Sequence, residues 1–251
     1  MLKLMKYEFR KTWFMKAILL AVTAVAEIGY LVGLYGEQED MLISSIFILL
    51  LLALGGLVII GIGSVMTLHR DMTTRQSYML FMTPNSCYSI LGAKMLECAL
   101  SVLLTGVFFF ALGALDISLL LAKQGELGNA WKMLQEVLTS FSINGRPVEI
   151  NLGVLAALTF SLLSGWILTI ATAYLADVIS VAMLSGKRFS GLVSFLLFLL
   201  LSILCSRLVT WITGSIDSTT LMLWVEGLVS LALSGIMYFA TAKLMEEKLS
   251  V

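Results

Sequence analysis

Six stretches of this sequence, 17–35, 42–68, 90–121, 152–180, 190–212 and 220–242, are apolar over about the 20 residues that a helix needs to cross the hydrocarbon core of a bilayer. The 251 residues are 59% hydrophobic and only 13% charged, with a mean hydropathy of +0.99. A water-soluble domain keeps a far more charged surface than that. The expectation is an all-α polytopic membrane protein with six transmembrane helices. Several stretches exceed what the hydrocarbon core requires, so their helices should tilt or continue into the water phase. The connections are short, and 1–251 reads as a single transmembrane domain.

Orientation follows from the placement of Lys and Arg. With the amino terminus inside, twelve bases fall on the cytoplasmic side: Lys3, Lys6, Arg10, Lys11, Lys16, Arg70, Arg75, Lys94, Lys187, Arg188, Lys243 and Lys248. Four fall outside, namely Lys123, Lys132, Arg146 and Arg207, and the first outer loop "GEQED" holds acids and no base. The expected location is the cell membrane, multi-pass, with both termini cytoplasmic. The formal net charge of zero gives no overall basic field for nucleic acid. Cys87, Cys98 and Cys205 are odd in number and lack paired spacing, so they signal neither a disulfide framework nor a metal site.

The first thirty residues have two readings. A basic segment before "AILLAVTAVA" resembles a secretory signal, but the apolar run continues through "IGYLVGLY", which favours an uncleaved span. Ahead of it, Leu2, Met5, Phe9 and Trp13 recur at helical spacing while Lys3, Lys6 and Arg10 follow a second stripe. Residues 1–16 therefore read as an amphipathic interfacial helix along the inner leaflet, or more plainly as an ordinary basic flank. In the extracellular loop 123–150, Leu127, Trp131, Leu134, Leu138 and Phe141 make one apolar stripe, the pattern of an amphipathic helix on the outer interface.

Lipid gives helices little hydrophobic reason to associate, so small residues commonly form the seam. Gly153, Ala157, Ser161 and Gly165 follow one another at intervals of four in the fourth stretch, and Thr169, Ala173 and Asp177 continue the row. Gly55, Gly56, Gly61 and Gly63 form a looser set in the second. Ionisable groups at membrane depth are costly and mark function by default. Glu27 lies in the middle of the first apolar stretch and is a candidate for a translocation path, or else a packing residue. Glu97, Asp116, Asp177, Arg207 and Glu226 sit nearer the boundaries, where snorkelling is expected to relieve the cost.

Catalytic motifs are scarce. His69 is the single histidine, so no HExxH pair or histidine cluster exists, and a capping or interfacial role is expected for it. No GxSxG elbow occurs. The stretch "SGKRFSG" at 185–191 has Val181 where a phosphate loop would need its first glycine. The chain is not expected to be an enzyme by itself, to hold a metal or to bind a cofactor.

Residues 69–89 are polar at their ends with an apolar centre, between the second and third stretches. "SYMLFM" suits a short helix, Thr83 before Pro84 should end it, and Asn85 or Ser86 can cap the next helix. A short helix displaying apolar side chains to the cytosol marks a partner site, or an interfacial helix touching headgroups.

The basic start "KLMKYEFRKTW", the cytoplasmic stretch "RDMTTRQSYMLFMTPNSCYSILGAK" and the tail "YFATAKLMEEKLSV" resemble the membrane subunits of type-2 ABC exporters. That resemblance implies a six-helix half-transporter of type-2 ABC exporter-like fold, with 69–89 as the coupling segment. Arg75, Tyr78, Met79, Leu80, Phe81 and Pro84 would then dock on a separate ATPase subunit that carries ATP and Mg. The other implied partners are a second permease copy, identical or related, and membrane lipid. The layout departs from the family in one respect. Its larger outer element usually lies between spans five and six, whereas here "SRLVTWITGSIDSTT" is compact and the long outer loop precedes span four. Two other classes stay open: an ion-coupled secondary transporter using Glu27, although no internal repeat is evident, and a non-transporting sensor or assembly subunit.

Overall fold

The computed structural model describes residues 2–73, 86–124, 142–143, 146–147, 152–184, 190–216 and 218–249. These form α1 (Leu2–Tyr35), α2 (Glu39–Thr73), α3 (Cys87–Gln124), α4 (Leu152–Leu184), α5 (Ser190–Thr213) and α6 (Thr219–Leu249). One small antiparallel ladder, β1 (Ser142–Ile143) with β2 (Arg146–Pro147), pairs Ser142 with Pro147 and Ile143 with Arg146. All six helices are long and apolar enough to cross a membrane, the architecture of an all-helical, multi-pass membrane protein.

Every helix outruns or matches its apolar stretch. The 34 residues of α1 span about 51 Å at 1.5 Å per residue, against a hydrocarbon core of about 30 Å. The 24 residues of α5 span about 36 Å, nearest to the core itself. The sequence suggested a separate interfacial helix over 1–16. Instead, 2–16 continue without a break into the first span. The physical reason lies in the inward face of that segment, which makes polar contacts to α2 and α3 and so holds it in line with the bundle. The amphipathic helix expected over 127–141 lies outside the described residues.

Local chemistry sets the helix ends. Between α1 and α2, the Gly36 N–H donates to Val32 O at 2.8 Å and the Gln38 N–H to Gly33 O at 3.2 Å, with Glu37 between them at φ +55°. A left-handed residue after the last turn is a common helix stop, although glycine is the usual occupant. Gly33 is needed on other grounds. A Cβ there would lie 2.7 Å from the Leu42 backbone nitrogen, so the two helices leave the hairpin in backbone contact. Glu39 and Asp40 open α2, where carboxylates suit the positive end of a helix. Ser86 caps α3: its hydroxyl accepts from the Ser89 N–H at 3.3 Å.

The broadest helix contact is between α4 and α6, followed by α1 with α2 and α4 with α5. At the first of these, a Cβ on Gly227 would fall 2.5 Å from the Phe160 ring, which itself stacks on Trp224 with centroids 5.1 Å apart. The row at intervals of four behaves unevenly. Ala157 and Ser161 are buried, whereas a Cβ on Gly153 or Gly165 would meet nothing within 4 Å. Burial passes from Ala157 to Ser164, Ala171 and Val178, spacings of seven that drift from the helical period much less than a row of fours does. Leu68, Leu91, Cys98, Tyr174, Val178 and Met245 bring α2, α3, α4 and α6 into one core. Ala26, Tyr30, Leu34 and Leu49 form a second between α1 and α2. Within α5 only Ser190, Cys205 and Thr213 are buried, so this helix lies at the margin and shows most of its leucines outward.

Named contacts fix how the helix ends meet. The Glu8–Lys94 and Lys11–Asp71 pairs join the start of α1 to the start of α3 and the end of α2. His69 meets Asp177 near the end of α4, and the Ser180 hydroxyl donates to Ser190 O at the start of α5. The Tyr238 hydroxyl donates to Tyr88 O at 2.7 Å, linking the second half of α6 to the first turn of α3. Successive helices therefore alternate in direction.

Candidate functional site

The largest polar constellation lies where α1, α2 and α3 converge. Lys94, only 1% exposed, donates to Asp71 Oδ2 at 2.6 Å and reaches Glu8 Oε1 at 2.9 Å. Lys11 donates to the other oxygen of Asp71. One and a half turns further along α1, Lys16 donates to Glu97 Oε1 at 2.6 Å and to the Ser101 hydroxyl at 2.6 Å. The Thr12 hydroxyl donates to the same carboxylate oxygen at 2.8 Å. The Lys16 ammonium also lies 3.6 Å from the centroid of the Phe9 ring. Three ammoniums thus face three carboxylates, and each buried charge has an opposite within bonding distance. A void of about 10 Å³ among Thr12, Lys16, Gly63 and Glu97 adjoins the second group, about one water in size.

Arrangements of this kind hold helices rather than transform a substrate. Buried pairs add little net stability over apolar packing, but losing one partner is expensive, so such networks fix one arrangement against alternatives. Here the arrangement fixed is that of the two helices bounding residues 74–86 against the amino-terminal helix.

A second polar group joins α2, α4 and α5. His69 Nδ1 lies 2.7 Å from Asp177 Oδ1, and the Ser194 hydroxyl lies 3.4 Å from the same oxygen. Asp177 is 2% exposed, and its Oδ2 has no hydrogen-bond partner among the described residues. Close by, the hydroxyls of Ser64 and Tyr174 are hydrogen-bonded to each other across α2 and α4.

The third group is acidic and lies toward the opposite end of the bundle. Glu27 of α1 and Asp116 of α3 are neighbouring acids. Glu27 Oε2 and Asp116 Oδ1 are both buried without a partner among the described residues. The Tyr30 hydroxyl donates to the Asp116 backbone carbonyl at 2.7 Å, and Lys123 donates to Leu34 O at 2.6 Å. Glu27 lies about 16 Å along α1 from Lys16, counting 1.5 Å per residue, so the ionic and acidic groups occupy different depths.

The residues expected from sequence are distributed as follows. Arg75, Tyr78, Met79, Leu80, Phe81 and Pro84 lie outside the described residues. Glu27 lies beside a second acid, Asp116, while Gly153, Ala157, Ser161 and Gly165 lie on α4 with only the middle two buried. Glu97 and Asp177 were expected to snorkel to a boundary. They do not: both are buried, because Lys16 and His69 supply partners at their own depth. His69 correspondingly binds a carboxylate rather than capping a helix. The network through Glu8, Asp71 and Lys94 was missed by sequence reasoning. A signal existed in acids and bases within about two turns of the ends of three helices, but it becomes readable only once the helices are paired.

An apolar cleft of about 260 Å³ runs between α3 and α4, lined by Leu96, Leu100, Leu103, Leu163, Trp166 and Ile167. It offers shape but no polar group for recognition. No protein-family model, curated protein or solved structure matches the chain.

Proposed function

We propose that the chain is the membrane subunit of an ATP-driven exporter of the type-2 ABC kind, working with a separate ATPase and a second membrane subunit. The observation that supports it most is the clamp at the ends of the segment resembling a coupling helix. Asp71 and Lys94 bond to each other across that segment, and both bond to α1 through Lys11 and Glu8. A push on residues 74–86 would then reach three helices together, as a rigid-body switch between two packings requires. In this reading both termini are cytoplasmic, the subunit lies in the cell membrane, and ATP and Mg bind the partner. Six spans make half of a passage, which two subunits, identical or related, would complete. The test is co-purification: an ATPase subunit should accompany the wild-type chain in mild detergent and be absent from Leu80→Asp/Phe81→Asp.

One observation favours a second reading, an ion-coupled carrier. Glu27 and Asp116 are neighbouring acids at membrane depth, and a buried carboxyl oxygen of each lacks a partner among the described residues. Transport by this chain alone in vesicles lacking any ATPase, abolished by Glu27→Gln, would favour it.

A further inference from the structure

The amino-terminal third of α1 has two faces of opposite character. Glu8, Lys11, Thr12 and Lys16 turn inward and are engaged with α2 and α3. Lys6, Tyr7, Arg10, Trp13 and Phe14 turn outward, at intervals of three and four residues. Trp13 is 58% exposed and Phe14 74%, so nothing among the described residues covers them. Lys6 and Arg10 lie one helical turn apart, and neither has a carboxylate partner among the described residues. Glu8, the only acid before Glu27, faces Lys94 on the opposite side of the helix.

Composition along the outward face changes in order. Two cations with a tyrosine come first, then Trp13 and Phe14, and after them the exposed side chains are apolar, including Ile18, Val22 and Val25. That order matches the depth profile of one bilayer leaflet: headgroups, then the interfacial belt where tryptophan settles, then acyl chains. Cations near a leaflet surface attract anionic lipid, each by about 1 kcal/mol, or about fivefold in affinity. The face is therefore complementary in charge and in polarity profile to an anionic phospholipid.

The geometry points to a seat for an anionic phospholipid headgroup on α1, with Lys6 and Arg10 bonding the phosphate and Trp13 and Phe14 flanking the glycerol and upper acyl chain. This goes beyond the transport reading and does not depend on it. It also divides the bases near this end of the bundle by role. Lys11, Lys16 and Lys94 serve the internal network, while Lys6 and Arg10 serve the lipid.

The test uses the full-length chain in nanodiscs of phosphatidylcholine with graded phosphatidylglycerol, reading retained lipid by native mass spectrometry. Wild type should retain phosphatidylglycerol over phosphatidylcholine. Lys6→Gln/Arg10→Gln should lose about 30-fold of that preference, taking about fivefold per cation. Lys6→Arg/Arg10→Lys should keep it. Lys243→Gln, at an exposed cation on α6, should change it little. Absence of a wild-type preference overturns the seat, as does an equal loss in Lys243→Gln, which would indicate only a diffuse field. Cross-linking from position 10 that captures another protein instead of lipid overturns it as well.

Discussion

Lys94 Nζ lies 2.6 Å from Asp71 Oδ2, a bond between residues 23 positions apart that closes the chain into a loop from the end of α2 to the start of α3. The same ammonium bonds Glu8, so the loop is also fastened to α1. The pair lies among helices where water has little access, which makes its loss costly whichever partner is removed.

Lys94→Met should therefore destabilise the protein by about 3–5 kcal/mol, since Glu8 is left buried without a cation. Adding Glu8→Gln should recover most of that loss, because Lys11 still serves Asp71. Thermal unfolding in detergent of the two single variants and the double variant gives the coupling energy. Additive losses would contradict direct pairing.

Two glycines separate close packing from mere spacing. Gly227→Ala should cost about 1–3 kcal/mol, because its Cβ would meet a Phe160 ring already held by Trp224. Gly165→Ala meets open space and should be neutral or slightly stabilising through helix propensity. Comparing the two unfolding midpoints decides whether the α4–α6 seam lies at Gly227 or along the row at intervals of four.

At the acidic pair, Glu27→Gln keeps the size and shape of the side chain beside Asp116 and should shift stability little, whereas Glu27→Ala removes the side chain from the helix contact and should cost about 0.5–3 kcal/mol. Under the ATP-driven reading, Glu27→Gln also leaves ATP-dependent transport intact. A transport loss in Glu27→Gln without a stability loss would move the weight to the carrier reading.

The helices were legible in the sequence because crossing lipid imposes a length and composition that few other structures share. All six expected spans coincide with helices. Ser86, one of the two caps the sequence offered beside Asn85, was legible from local hydroxyl chemistry. Pairing was not legible. Glu97 reads as a boundary acid until Lys16 is known to face it, and these two lie 81 residues apart. The row through Gly153 and Gly165 failed to predict the tight contact because a four-residue repeat drifts from the helical period of 3.6. The close approach falls instead where Gly227 of α6 admits Phe160. Continuity of 2–16 with the first span likewise depends on partners distant in sequence.

The most direct test of the central claim is to purify the chain in mild detergent from its own cells and identify what accompanies it. The account predicts a separate ATPase with a phosphate loop, retained by wild type and lost from Leu80→Asp/Phe81→Asp while both chains insert equally. Equal retention of the same ATPase by that variant, or purified wild type that transports in vesicles with no ATPase present, would contradict it.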